Sequence, residues 1–203
     1  MLGFGLDTCQ SIINWGFAFW APTYLTRYAI AETSEQAALA LLPAILGFVA
    51  GAVLGGVLID RLRHRTPLAP AWISLVAMAG GLVLAALVFS LNSLAPLMAA
   101  AFCLGVVTYM VQPAVNVVLF SVVPPEMKAT TISASNVILN LAVAVVSILV
   151  GTVSDATQSL RFAFGGSVLL TYVFGIGVCL ALLRTYRRDM QQRDTMVEGR
   201  VSV

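Results

Sequence analysis

Gly56-Val57-Leu58-Ile59-Asp60-Arg61-Leu62-Arg63-His64-Arg65 closes an apolar run that starts near residue 37, and its last six positions hold four charged side chains and the chain's only histidine. A helix leaving a bilayer ends this way: the hydrocarbon core, about 30 Å thick, takes roughly 20 apolar residues, and cations gather where the chain meets the interface. Working outward from this stop, comparable stretches lie near 3–27, 37–59, 70–91, 95–122, 128–152 and 161–184. Leu39 to Ile59 and Ala71 to Phe89 are apolar on every face, whereas a transmembrane barrel needs short alternating segments. Composition agrees, because 60% hydrophobic and 10% charged residues leave too little polar surface to coat a soluble globule of 203 residues. A secretory signal would be followed by a polar mature chain, which is absent, so the first stretch stays in the membrane. The predicted fold class is all-α integral membrane, with six transmembrane helices over residues 1–184 and a C-terminal tail over 185–203.

Charge gives the orientation. Arg61, Arg63, Arg65, Lys128, Arg184, Arg187, Arg188, Arg193 and Arg200 follow even-numbered stretches, and only Arg27 and Arg161 follow odd ones. By the positive-inside rule both termini are cytoplasmic, in a multi-pass protein of the plasma, or cell inner, membrane. The net charge of +2 reports this topology and gives no warrant for nucleic-acid binding. The tail mixes Arg187, Arg188 and Arg193 with Asp189, Asp194 and Glu198, and is expected to cap the last helix and then fray into the cytoplasm near anionic lipid. Cys9, Cys103 and Cys179 fall in three different stretches and read as small buried hydrophobes; no cofactor motif or metal-ligand spacing appears.

Connections are short, at Ala31 to Gln36, Arg61 to Ala69, Leu91 to Leu94, Val123 to Met127 and Ser154 to Leu160, so sequential helices are expected to be antiparallel neighbours. Pro22, Pro43 and Pro113 fall inside the first, second and fourth stretches and predict kinks. Gly47, Gly51 and Gly55 form a smooth strip at four-residue spacing where another backbone can approach, as membrane helices favour. Gly56 to Asp60 ends the second stretch, and Gly151-Thr152-Val153-Ser154-Asp155 ends the fifth on the opposite side, which predicts two related three-helix units in inverted orientation.

Polar side chains inside lipid are costly and face protein or water. Asp7, Gln10 and Asn14 in the first stretch, Tyr109, Gln112 and Asn116 in the fourth, and Ser133, Asn136 and Asn140 in the fifth all fall at i, i+3 and i+7, so each set lies on one helical face. The stripes are expected to converge on a central, water-accessible cavity, with Asp7, the only carboxylate within a stretch, as a proton or cation site. The third and sixth stretches, with scattered Ser and Thr and Tyr172, read as lipid-facing supports. A membrane-embedded enzyme would need a nucleophile and base, paired carboxylates or metal ligands at membrane depth. His64 lies in a basic loop and Asp7 has no acidic partner near it in sequence, so the chain reads as no enzyme.

Residues 56–65 resemble the loop signature of the major facilitator superfamily, G-x-L-x-D-R-x-G-R-K, which that family carries after its second and eighth helices; Arg63 stands where the signature has glycine. Trp20-Ala21-Pro22-Thr23-Tyr24-Leu25, residues 122–130 (Val-Val-Pro-Pro-Glu-Met-Lys-Ala-Thr) and Gly151 to Asp155 resemble the C-terminal half of spinster-type facilitators, although Leu141-Ala142-Val143-Ala144 stands where a Gly-Asp pair is expected. The resemblance implies one bundle of a facilitator fold, a 3+3 inverted repeat. It also implies secondary active transport of a small organic solute, with a co-transported proton, by rocking of two bundles about a midplane site. Gln10, Asn14, Tyr109, Gln112, Asn116, Asn136 and Asn140 would then bind solute, and Asp60, with Arg61 and Arg65, would form a latch made in one conformation and broken in the other. Because these motifs match helices seven to twelve, the chain is expected to be the C-terminal half of a twelve-helix carrier, its partner the missing N-terminal six-helix bundle or, failing that, a second half-bundle. The alternatives are a non-transporting assembly or regulatory subunit, or an inactive transporter fragment.

Overall fold

The computed structural model describes the backbone of residues 2–66, 68–122 and 128–201, and the side chains of residues 3–66, 68–118, 129–130 and 132–185. Its described backbone is helical between short turns: α1 (Leu2–Arg27), α2 (Ser34–Leu39), α3 (Leu42–Arg63), α4 (Ala69–Ser90), α5 (Leu94–Tyr109), α6 (Val111–Val122), α7 (Lys128–Thr157) and α8 (Leu160–Val201). Among the described residues, five segments are long and apolar enough to cross a membrane: Ser34–Arg63, Ala69–Ser90, Leu94–Val118, Ile132–Thr157 and Leu160–Thr185. At 1.5 Å per residue the 22 residues of α4 reach about 33 Å, the thickness of the hydrocarbon core. The sixth expected span, α1, has the length, 26 residues, but Asp7, Gln10 and Asn14 keep it outside that apolar set.

Prolines set the breaks. Proline lacks an N–H and its ring collides with the carbonyl four residues back. α2 ends at Leu39, four before Pro43, and α5 ends at Tyr109, four before Pro113, so the second and fourth stretches are each split into two helices. Pro22 stays inside α1, where the Thr26 hydroxyl donates to its carbonyl at 3.1 Å.

The glycine strip behaves as its spacing predicts. A Cβ at Gly47 or Gly51 would run into the Phe102 or Val106 carbonyl oxygen of α5, and one at Gly55 would lie 2.6 Å from the Met110 oxygen. Gly105 of α5 returns the contact, since its Cβ would lie 2.5 Å from the Ala44 oxygen. Backbone therefore lies on backbone along α3 and α5, the close approach that lets dispersion forces hold helices together where lipid removes the hydrophobic drive.

α4 packs on α8 and α5, α8 on α1 and α7, and α1 also meets α6 and α7. The third and sixth stretches keep apolar faces open, with Val76 and Val83 of α4 and Phe162, Leu170 and Phe174 of α8 exposed, yet within this bundle 44% of the α4 span is buried, against 22% for the spans containing α3 and α7. The reason is Tyr172 of α8, which is fully buried, with its ring where a Cβ on Gly81 of α4 would be, and its hydroxyl 2.7 Å from Thr108 Oγ1 of α5. Thr108 spends its one proton on the Leu104 carbonyl at 2.7 Å, so Tyr172 is the donor in the pair.

Three boundaries differ from the sequence reading. α3 stays helical through Arg63, because no glycine stands there to open a tight turn, and only His64 and Arg65 turn away. α7 continues past Ser154 to Thr157, and Gln158 ends it with φ +53°, a left-handed cap usually taken by glycine, supported here by its own side chain bonding the Asp155 carbonyl at 2.7 Å. The tail, expected to fray after Arg184, is helical to Val201. The expected turn at Val123 to Met127 lies outside the described residues. Cys9 and Cys179 are buried, but Cys103 is exposed on α5.

Candidate functional site

One face of α1 turns its polar residues inward. Asp7 is 8% exposed and accepts a hydrogen bond from Ser135 Oγ of α7 at 3.3 Å and one from the Gln112 side chain of α6. No cation stands beside it among the described residues. Gln10, less than one turn on, is fully buried, and among the described residues neither its Oε1 nor its Nε2 has a partner; Asn14 Oδ1 is buried and unpartnered among them as well. Buried polar groups are almost always satisfied, and each exception calls for a reason. An unmet amide costs about 1–3 kcal/mol, so stability is not what keeps these side chains on this face.

Beyond Asn14 lies a cavity of about 280 Å³ enclosed by α1, α3, α4, α5 and α8. Its back wall is aromatic: Phe89 and Phe164 meet edge to face at 5.1 Å, Phe17 and Phe164 at 5.3 Å, and Tyr24 and Phe89 at 5.6 Å. Phe48 closes the other side, stacked on Tyr109 at 4.4 Å. Asn14, Thr108 and Tyr24 are its lining residues that carry polar groups, and among the described residues no charged side chain lines it. A second, more open groove of about 480 Å³ runs between α1 and α7, where Trp15 and Trp20 face Asn140 and Ser147.

The expected binding residues therefore divide. Asp7 and Gln112 touch, Gln10 and Asn14 share their face of α1, and Tyr109 supports the cavity from behind Phe48. Asn140 opens into the groove, while Asn116 and Asn136 are exposed on the bundle's outside. The three stripes do not meet at one point within this bundle, because α7 turns a different face inward: Ser135, Leu139, Val143, Val150 and Ser154 are its buried positions. Asp60, Arg61 and Arg65 are all exposed at the far end of α3.

Sequence reasoning missed a cluster at the opposite end. Arg161, at the start of α8, donates from Nε to Tyr24 Oη at 3.2 Å and from a terminal nitrogen to Asn92 Oδ1 at 2.9 Å, while its backbone N–H reaches Tyr28 Oη at 2.9 Å. Arg27 donates to Ser154 Oγ of α7 at 3.2 Å. Burial alone would raise the Tyr28 phenol, but bonds with Ser159 and the Arg161 N–H, and the Arg161 and Arg27 charges, bring it below the usual tyrosine value. The signal was present: Arg27 and Arg161 are the two cations that break the positive-inside pattern, and here they tie helix ends together.

No curated protein matches the chain in sequence. The family profile described as Major Facilitator Superfamily matches residues 4–147, more than two thirds of the chain, taking in α1, the glycine strip, the residue 56–65 loop and most of α7. With five apolar helices long enough to cross a bilayer, the chain is a multi-pass membrane protein and belongs to the Major Facilitator Superfamily, whose members are transporters of small solutes.

Proposed function

We propose that the protein is a secondary active carrier of a small organic solute, working by alternating access as the C-terminal six-helix bundle of a twelve-helix carrier. The observation that carries this reading is the buried polar face of α1, where Asp7 joins Ser135 of α7 and Gln112 of α6 beside the unpartnered Gln10 and Asn14. A packed helix gains nothing from a cluster of this kind at membrane depth, whereas a carrier needs groups there that exchange partners with solute and proton. α1 is then the sixth span, its polar face shielded by α6, α7 and α8. Gln10, Asn14, Tyr109, Gln112, Asn116, Asn136 and Asn140 are the solute contacts, Asp7 the proton-coupling carboxylate, and Asp60, Arg61 and Arg65 the latch.

Helix packing supports a 3+3 inverted repeat. Exchanging α1 with α5–α6, α3 with α7, and α4 with α8 turns the pair α3·α5 into α7·α1, α4·α5 into α8·α1, and α3·α4 into α7·α8, and each of these pairs is in contact. The two helices so exchanged, α3 and α7, also leave the largest uncovered faces, with Leu46, Val49 and Val53 on one and Val137, Leu141 and Ile148 on the other more than half exposed. These suit a missing N-terminal bundle, with both termini on the cytoplasmic side of the plasma membrane. Residues 20–25 and 151–155 favour the spinster-type branch, and the absence of its Gly-Asp pair on α7 turns the substrate from lipid toward a smaller solute.

The test is solute flux in membrane vesicles carrying the native gene product, screened over neutral amphipathic solutes, with Asp60→Asn compared at equal membrane content. A latch that biases two states by about 1.4 kcal/mol changes their ratio tenfold, so uptake by Asp60→Asn should fall about tenfold with insertion intact. Unchanged uptake removes the latch; absence of flux for every solute favours an assembly or regulatory subunit.

A further inference from the structure

The groove of about 480 Å³ between α1 and α7 brings together groups that a solute can reach. On α1, Trp15 is 49% exposed and Phe19 58%, and their rings stack at 5.7 Å with 23° between the planes. One turn of helix thus presents a flat aromatic platform, which takes a planar guest in offset stacking. Across from it on α7, Asn140 is exposed, and its amide has no hydrogen-bond partner among the described residues. An amide sets an acceptor and a donor side by side, so it pairs through two bonds with a guest edge that carries the same two functions, as asparagine does with adenine. The groove's hydroxyls are unspent as well. Thr26, Ser74, Ser90 and Thr171 each donate to the carbonyl four residues back in their own helix, whereas the hydroxyls of Thr23 and Ser147, which line the groove, have no hydrogen-bond partner among the described residues. No charged side chain lines it among the described residues, so an entering ion would lose hydration with no opposite charge in return. Its volume falls within the about 300–1,000 Å³ usual for small-molecule sites.

We propose that this groove binds a neutral, planar heteroaromatic molecule edged by adjacent N–H and C=O groups, the edge of a lactam or a nucleobase, stacked on Trp15 and Phe19 and paired with the Asn140 amide. As the substrate class of the carrier this rests on the transport reading, but as a binding site it does not, so binding is measured without flux. 2-Quinolone and N-methyl-2-quinolone share a flat two-ring frame and its carbonyl, and differ in the N–H. Equilibrium dialysis of each against the native gene product in lipid nanodiscs, with empty discs as the blank, should give saturable binding with 2-quinolone held about tenfold tighter, the discrimination of one bidentate pair. Asn140→Leu, at an exposed position where folding is spared, should abolish that preference while N-methyl-2-quinolone still binds. Trp15→Ala, also at an exposed position, should weaken both probes about tenfold through the lost stacking. No saturable binding of either probe overturns the proposal, and so does equal binding of both, a preference that survives Asn140→Leu, or affinity unchanged by Trp15→Ala. Binding with no flux would leave this site standing and remove the carrier; flux of other solutes with no quinolone binding would do the reverse.

Discussion

Gly51→Val is expected to leave little correctly folded bundle, while Gly56→Val, five residues further along the same helix and on another face, is expected to fold as wild type. A Cβ at Gly51 meets the Val106 carbonyl oxygen, carbon and Cα of α5, which are backbone atoms that cannot rotate away; at Gly56 nothing lies within 4 Å. Overpacking a tight contact costs typically about 1–3 kcal/mol, and a wedge against backbone, flanked by the same contact at Gly47 and Gly55, belongs at the upper end or above it. A substitution in open space changes stability by less than about 0.5 kcal/mol. Thermal denaturation of the detergent-solubilised protein, followed by gel filtration, separates the two. Equal stability of the two variants would mean that α3 and α5 are not in backbone contact.

The second large effect is on coupling. A buried carboxylate that has hydrogen bonds from Ser135 and Gln112 but no neighbouring cation costs folding energy, and Asn occupies the same volume without the charge. Asp7→Asn is therefore expected to fold as well as wild type or better, with thermal stability unchanged or raised. If Asp7 carries the coupled proton, the same variant should lose uphill accumulation, its ratio of internal to external solute falling to about one, while exchange of solute across the membrane persists, because only the coupling free energy is removed. A vesicle assay with an imposed pH gradient reads both. Lower stability together with intact accumulation would make Asp7 a structural residue.

Much of this architecture was legible because membrane constraints are strict. Twenty apolar residues, a cationic stop and a four-residue glycine repeat each have one economical reading in lipid, and the breaks at Leu39 and Tyr109 follow from the prolines four residues on. Less legible were features that depend on which face of a helix wins. α7 carries two faces able to pack, and the one holding Ser135, Leu139 and Val143 turned inward while Asn136 stayed out; spacing alone gives both equal weight. The α1 stripe was readable and is buried, but its close partner Ser135 was not singled out, because a lone serine in an apolar helix bonds its own backbone as readily as a neighbour. The aromatic cavity left no periodic trace, since Phe17, Phe48, Phe89 and Phe164 come from four separate helices. The α7 terminus escaped detection because Gln158 takes a left-handed backbone that sequence rules reserve for glycine.

Alternating access itself is open to a measurement that needs no known substrate. Asn140 lies in the groove between α1 and α7 and is exposed. With Cys9, Cys103 and Cys179 replaced by alanine, Asn140→Cys should react with a membrane-impermeant thiol reagent applied to either side of sealed native vesicles, and adding Asp60→Asn should shift the ratio of the two rates, because the proposed latch would set which side is open. Reaction from one side alone, or from neither, would mean that this face meets a fixed vestibule or lipid, and would contradict a carrier that opens to both sides in turn.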